Sequence, residues 1–269
     1  MALTQGSGTI LKVCGLTKRF GELVAVGGVD LEVKKGSISA VIGPNGAGKT
    51  TFFNMITGIY IPDEGSVKLK DKSLIGLRPD RIAALGIART FQNIRLYGNM
   101  TVMENVMAAM HVRLKANLFG ILCHLPSVRG EEMEVQAEAY RLLEYVGLAS
   151  SLNETAQNLP YGAQRRLEIA RALATQPKIL LLDEPAAGMN PRETSELTAF
   201  IRKMREDLDL TIILIEHDMK LVMEIAEHIL VLDYGVKIAE GKVDEIRNHP
   251  QVIEAYLGKG AANADNQGE

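Results

Sequence analysis

Eight consecutive residues, Gly43-Pro44-Asn45-Gly46-Ala47-Gly48-Lys49-Thr50, place three glycines, a lysine and a hydroxyl at the spacing of a polyphosphate cradle, Gly-x-x-x-x-Gly-Lys-Ser/Thr. Glycines let the backbone curl so that successive N–H groups converge on one anion. A helix starting at the loop's end adds its partial positive charge. Lys49 would then reach the outer phosphates of a nucleoside triphosphate, and the Thr50 hydroxyl would ligate Mg²⁺. The Lys49 head group is expected to pack on nothing in the protein. The bland alternative is an ordinary Gly-rich turn after a strand, but Ile38–Ile42 runs into the loop as an apolar strand and Thr51–Ile56 leaves it as a helix.

A second set of chemistry-bearing residues ends another apolar run, Ile179-Leu180-Leu181-Leu182-Asp183-Glu184-Pro185. Strand ends in an open α/β sheet are where ligands bind. Asp183 fits a Mg²⁺-holding carboxylate, and Glu184 a general base that polarises attacking water. Adjacent acids at a strand end are also common solvent-facing punctuation. His217, in Ile215-Glu216-His217-Asp218, follows the run Thr211–Ile215. A lone histidine there is often structural or exposed, yet this place would also let it meet the γ-phosphate edge. His111, His124, His228 and His249 have no comparable context.

The elements that must position these groups are legible. Ile38–Ile42, Ile179–Asp183, Thr211–Ile215 and Ile229–Leu232 are almost continuously apolar, as parallel strands buried on both faces should be. Ile10–Val13, Val29–Val33 and Ser66–Leu69 read instead as short strands of a separate β layer. Between Thr101 and Leu159 strand signals vanish. Glu131–Val146 puts Val135, Ala139, Leu142, Leu143 and Val146 on one helical face, with Gly147 as a stop. The expected architecture is α/β, a mostly parallel core sheet with helices between its strands and a helical insertion.

Composition sets the outer bounds. The 269 residues are 46 % hydrophobic and 23 % charged with net charge −3, the balance of a globular protein with no field that would draw it to nucleic acid. Two cysteines, Cys14 and Cys123, lie in no metal-ligand spacing and suit a reducing compartment. No signal peptide is evident in the polar start, and no apolar run approaches the roughly 18 residues of a membrane span. Any membrane role must come through a partner.

The order of these pieces resembles the ABC transporter ATPase family over roughly residues 10–257. Gln92, in Thr90-Phe91-Gln92-Asn93, resembles the Q-loop glutamine. Leu159-Pro160-Tyr161-Gly162-Ala163-Gln164 with the following Arg165–Ala172 resembles the signature motif and its helix. Gly188-Met189-Asn190-Pro191 occupies the D-loop position and His217 that of the switch histidine. The resemblance implies the P-loop fold of ABC type, with an N-terminal antiparallel β layer, and ATP with Mg²⁺ as ligands. It implies Mg²⁺ contacts from Thr50, Gln92 and Asp183, and nucleotide contacts along Gly43–Thr51. It also implies a contact from Gly162 to the ATP of a second ATPase subunit, and adenine stacking on Phe20. Read alone, Phe20 is simply a residue of the first β layer, and Asn190-Pro191-Arg192-Glu193 a helix N-cap. Pro160, Tyr161 and Ala163 replace the serine, first glycine and glutamine of the broad signature Leu-Ser-Gly-Gly-Gln, and Asn190 the usual aspartate.

More narrowly, Arg89–Leu96, Tyr161–Glu168, Glu184–Pro191, Glu216–Lys220 and Ala255-Tyr256-Leu257-Gly258 resemble the ATPase of branched-chain amino acid uptake systems. That resemblance implies an importer motor on the cytoplasmic face of the membrane, peripheral through two permease subunits and fed indirectly by a periplasmic binding protein. Motors of urea or amide importers, of lipid exporters, and soluble ABC-type ATPases of cluster assembly are the competing readings. The expected division is an ATP-binding core of residues 1–92 and 160–258, a helical subdomain of 93–159, and a disordered tail of 259–269. The apolar stretch Asn117–Cys123 reads as subdomain core or a docking surface.

Overall fold

The apolar runs fold as the buried strands their composition demands. β3 (Ile38–Ile42), β7 (Ile179–Asp183) and β8 (Thr211–Ile215) are buried at every residue. The computed structural model describes residues 8–111 and 126–257. The polar start, Asn117–Cys123, His124 and the tail 259–269 lie outside the described residues.

Two compact units divide the chain: residues up to Ile82 with those from Leu181 onward, and residues Ala83–Leu180. The first unit contains an antiparallel sheet ordered β2-β1-β4-β5, built from β1 (Thr9–Phe20), β2 (Leu23–Lys34), β4 (Glu64–Leu69) and β5 (Lys72–Ser73). β1 and β2 are longer than expected. Their register shifts between Val13 and Leu16 and again around Lys18, so bulges break the alternation that marks a strand in sequence.

The second sheet of this unit runs β10-β9-β3-β8-β7, with β9 (His228–Asp233) and β10 (Val236–Gly241). β3 pairs in parallel with β8, Ile38 opposite Ile212 through Val41 opposite Ile215, and on its other side with β9. The carboxyl ends of β3 and β8 therefore face the same way. From them leave α1 (Lys49–Ile56) and α7 (Met219–Ile225), while α6 (Pro191–Asp207) follows β7. α8 (Val243–Arg247) and α9 (Pro250–Leu257) close the described chain. β10 escaped the sequence because its run VKIAEG is largely polar, as befits a strand at the end of the sheet.

The second unit holds the three-residue β6 (Ile87–Arg89), hydrogen-bonded beside β7, and α3 (Val102–Met110), α4 (Pro126–Tyr145) and α5 (Tyr161–Ala174). α2 (Pro79–Leu85) spans the junction. Among the described residues of 101–159 the only strand-like feature is a bridge of Thr101 with Thr155. α4 buries Ala139 and Leu143, with Val146 buried just beyond its end, as its periodicity predicts. It ends in a Schellman turn: Gly147 (φ 73°) donates to Glu144 and Leu148 to Leu143. α5 packs against both α3 and α4, so this compact unit takes in Tyr161–Ala174 and starts ahead of Gln92.

Candidate functional site

The loop after β3 is a cradle that requires its glycines. A Cβ on Gly43 would stand 2.0 Å from the Leu232 carbonyl oxygen, and one on Gly48 2.4 Å from that of Ala25. Gly46 and Gly48 have φ of 82° and 94°, the left-handed region that glycine enters without steric cost. α1 begins at once, with Gly48 as its N-cap and the Phe52 N–H donating to Gly48 at 2.9 Å. Its first N–H groups and dipole therefore point into the loop. Asn45, Gly46 and Thr50 are exposed, and Pro44, Gly48 and Thr51 half-buried.

Lys49 corrects one expectation. Its side chain is not free of the protein: the residue is 6 % exposed, and Nζ donates to the carbonyls of Gly43 at 2.7 Å and Pro44 at 3.0 Å. Burial lowers its pKa, while the nearby charges of Glu184 and Asp183 pull it back up. The lysine of the cradle thus lies within electrostatic reach of Asp183, the last residue of β7, and of Glu184 just after it.

Asp183 is buried at the end of β7. Glu184, the next residue, has φ 45°, unusual for a residue with a side chain. Its N–H donates to the Ile215 carbonyl at 2.9 Å and its own carbonyl accepts from Ala187 at 3.1 Å, so bonds to β8 and a tight turn hold that conformation. Across this joint the His217 Nδ1 lies 3.8 Å from Glu184 Oε2, with 57 % of the histidine side chain exposed. The structure therefore brings Lys49, Asp183, Glu184 and His217 around the carboxyl ends of β3, β7 and β8. A buried acid that composition did not single out, Glu216, lies beneath them. Its signal was its place directly after an apolar strand.

Phe20 ends β1 in the same unit, 45 % exposed, with its ring set edge-on to Tyr60 at 5.3 Å between centroids. Asn190 is the N-cap of α6: its Oδ1 accepts from Arg192 and Glu193 at 3.0 Å, and Glu193 returns a bond to the Asn190 N–H. Burial pushes the Tyr256 hydroxyl up to about 12. The Gly43 N–H opposes that shift, but makes no hydrogen bond of ordinary geometry with the hydroxyl.

Gln92 and Gly162 belong to the second unit. The buried Arg165 of α5 donates to the carbonyls of Phe91 at 2.7 Å and Gln92 at 3.0 Å, and pairs with Glu168 at 2.8 Å. Glu168 accepts from the Phe91 N–H at 3.1 Å, so one ion pair on the signature helix holds the backbone around Gln92. Burial raises the pKa of Glu168 against those partners. Neither Arg165 nor Glu168 was singled out from sequence, where they read as ordinary helix charges.

A family model described as "ABC transporter" matches residues 26–187. The chain belongs to the ABC transporter ATP-binding family. A second model, the branched-chain amino acid ATP-binding cassette transporter, matches residues 236–262. Among similar proteins, the high-affinity branched-chain amino acid transport ATP-binding protein BraF of Pseudomonas aeruginosa is 50 % identical over 93 % of this chain and 98 % of its own. LivG of Escherichia coli, carrying the same description, is 51 % identical over the same shares. The ADP conformation of an ABC transporter cassette superposes with a TM-score of 0.81 at 32 % identity, covering 94 % of this chain and all of that one. A dimeric post-hydrolysis cassette bound to ADP and Pi superposes at 0.73 with 26 % identity, covering 87 % and 98 %. This ABC ATPase thus has the α/β cassette fold, and the cradle of Gly43–Thr50 lies inside the matched segment.

Proposed function

We propose that the chain is the ATP-hydrolysing motor of an importer for branched-chain amino acids. Within that reading Lys49 neutralises the β- and γ-phosphates, the N–H groups of Gly43–Thr51 cradle them, and Phe20 stacks on adenine. Glu184 accepts the proton of the attacking water, and His217 contacts the γ-phosphate beside it. Mg²⁺ would be held by Thr50 and Asp183 and would supply charge neutralisation to the phosphates, and the family resemblance implies a further contact from Gln92. The donor set suits it, since Mg²⁺ takes one or two carboxylates with phosphate oxygens and keeps several waters. The observation that supports the chemistry is the placement of Lys49 on the Gly43 and Pro44 carbonyls, of Asp183 buried at the end of β7, and of His217 Nδ1 3.8 Å from Glu184 Oε2, with both acids raising the lysine's pKa against the effect of burial.

Two such subunits, identical or homologous, would sandwich two nucleotides, each between the cradle of one and Gly162 of the other. ATP binds the closed pair better and shifts the equilibrium toward it, and hydrolysis reopens it. The helical segment 93–159 would pass that movement to two permease subunits, which hold the motor at the cytoplasmic face of the membrane. No helix among the described residues is itself long and apolar enough to cross one. A periplasmic binding protein would deliver leucine, isoleucine or valine. Support for the substrate is the identity of 50–51 % over nearly the whole length of relatives named for branched-chain amino acid transport.

The test is to isolate the intact membrane complex and measure ATP turnover with its binding protein and each candidate ligand. Stimulation by leucine, isoleucine or valine supports the proposal. Stimulation by urea or short amides alone, or recovery without any integral membrane protein, overturns the substrate or the transporter reading respectively.

A further inference from the structure

Glu216 is a fully buried acid, 0 % exposed. Its partners are backbone N–H groups from two different loops. Oε1 accepts from Ala186 at 2.9 Å, two residues past Glu184. Oε2 accepts from His217 at 3.1 Å and, more weakly, from Asp218 at 3.4 Å. The His217 Nδ1 stands 3.9 Å from Oε2. A carboxylate has two acceptor oxygens and no donor, so it can serve both loops at once. Burial raises its pKa and the three N–H groups work against that, favouring the charged form.

We propose that Glu216 is a positioning residue that staples the loop bearing Glu184 to the loop bearing His217, and so fixes the spacing of these two groups across the γ-phosphate. The proposal rests on the reading of Glu184 and His217 given above and adds to it. An amide in place of the carboxylate keeps the shape but loses the chemistry. Its NH₂ must face either the Ala186 N–H or the His217 and Asp218 pair, donor against donor, and one loop is released. Aspartate, one methylene shorter, cannot reach both loops. The bond from Glu184 N–H to the Ile215 carbonyl survives either change, so the fold of β7 and β8 is not what is at stake.

The experiment compares Glu216→Gln, Glu216→Asp, Glu184→Gln and the double variant Glu184→Gln with Glu216→Gln, all in the full transporter complex. ATP affinity is titrated on the full-length subunit. Glu216→Gln should lower kcat about 10- to 100-fold, the scale of an ångström of misplacement, while KM moves less than about threefold. In the Glu184→Gln background it should cost less than about twofold more, because the geometry it protects no longer has a base to position. Glu216→Asp should fail to restore turnover.

Near-normal turnover of Glu216→Gln beside an inactive Glu184→Gln overturns the inference alone. So does a loss that multiplies with that of Glu184→Gln, the mark of general damage to the fold. Normal turnover of Glu184→Gln instead sinks the reading of the base, and this inference with it. Amide exchange in the unmutated chain gives a check that no misfolding can obscure. Ala186 and His217 should be protected, and fast exchange at both would refute the staple.

Discussion

The cradle makes a quantitative demand at Gly43. Replacing it with alanine sets a methyl group 2.0 Å from the Leu232 oxygen and 3.1 Å from the Ala47 Cβ. An ordinary contact needs about 3.5 Å, so something must retreat by roughly 1.5 Å. Leu232 cannot easily be that something, since β9 is fixed in register against β3 with Val231 opposite Ile42. The head of the loop must move. Overpacking costs about 1–3 kcal/mol and a side chain in the left-handed region about 1–2 more. At about 2–4 °C for each kcal/mol in a chain of this size, the melting temperature should fall by roughly 4–20 °C. Displacing two N–H groups from a charged ligand, at about 1.5–3 kcal/mol each, should weaken ATP binding at least 100-fold. Gly46→Ala is the control, because its Cβ meets nothing within 4 Å. It bears only the conformational cost, a fall of about 2–4 °C for each kcal/mol. Thermal denaturation and calorimetric ATP titration of both variants read the difference. Gly43→Ala melting with Gly46→Ala and binding ATP within threefold of the parent would refute the steric reasoning.

Glu184→Gln should keep ATP affinity within a few-fold, lower turnover by about 10²–10⁴ and accumulate an ATP-bound dimer, with single-turnover kinetics as the measure. Lys49→Ala should weaken ATP binding at least tenfold in calorimetry with Mg²⁺ present. It removes a desolvated cation and also the donor to two carbonyls, opposing effects that should hold the melting temperature within about 4 °C of the parent. Gly162→Asp should leave ATP binding to the separate subunit unchanged yet abolish stimulated turnover in the complex, by aiming a carboxylate at the partner's phosphate. Ala163→Gln puts back the glutamine of the broad signature, but Ala163 is 8 % exposed, so the longer side chain should lower stability measurably in thermal denaturation.

What the sequence showed and hid follows from the range of each interaction. Ile38–Ile42, Ile179–Asp183 and Thr211–Ile215 were readable to the residue because burial on both faces leaves no polar position to blur the ends. The cradle was readable because its chemistry is local: eight adjacent residues carry glycines, cation and hydroxyl together. β1 and β2 were cut short because a bulge inserts a residue and reverses the alternation on which strand reading depends. Glu216, Arg165 and Glu168 were missed for a different reason. Each is a charge whose burial is created by segments remote in sequence, such as Ala186 for Glu216 and Phe91 for Arg165. Apart from the place of Glu216 directly after an apolar strand, nothing near them in the chain distinguishes them from solvated charges until those segments arrive.

The departures at the signature differ in kind from the demand at Gly43. Pro160 begins α5 with no side-chain cap, its carbonyl taking the N–H groups of Ala163 and Gln164 at 2.9 and 3.0 Å. The first-turn N–H of Gly162 has no intrahelical acceptor, as at the start of any helix. Among the described residues nothing explains glycine there. Its φ is not left-handed, a Cβ would meet no atom within 4 Å, and glycine in a helix costs about 1 kcal/mol relative to alanine. A missing side chain at this position is what the proposed approach of the Gly162 backbone to the ATP of a second subunit would require. One turn further along, Arg165 and Glu168 lock the same helix to the backbone of Phe91 and Gln92. Proline at 160 in place of serine removes one side-chain donor, while the small residue, the helix dipole and the buried clamp that the proposed approach would use are all present. Asn190 follows the same logic. Its Oδ1 caps α6 as an aspartate oxygen would, so the substitution removes a negative charge and leaves the geometry in place.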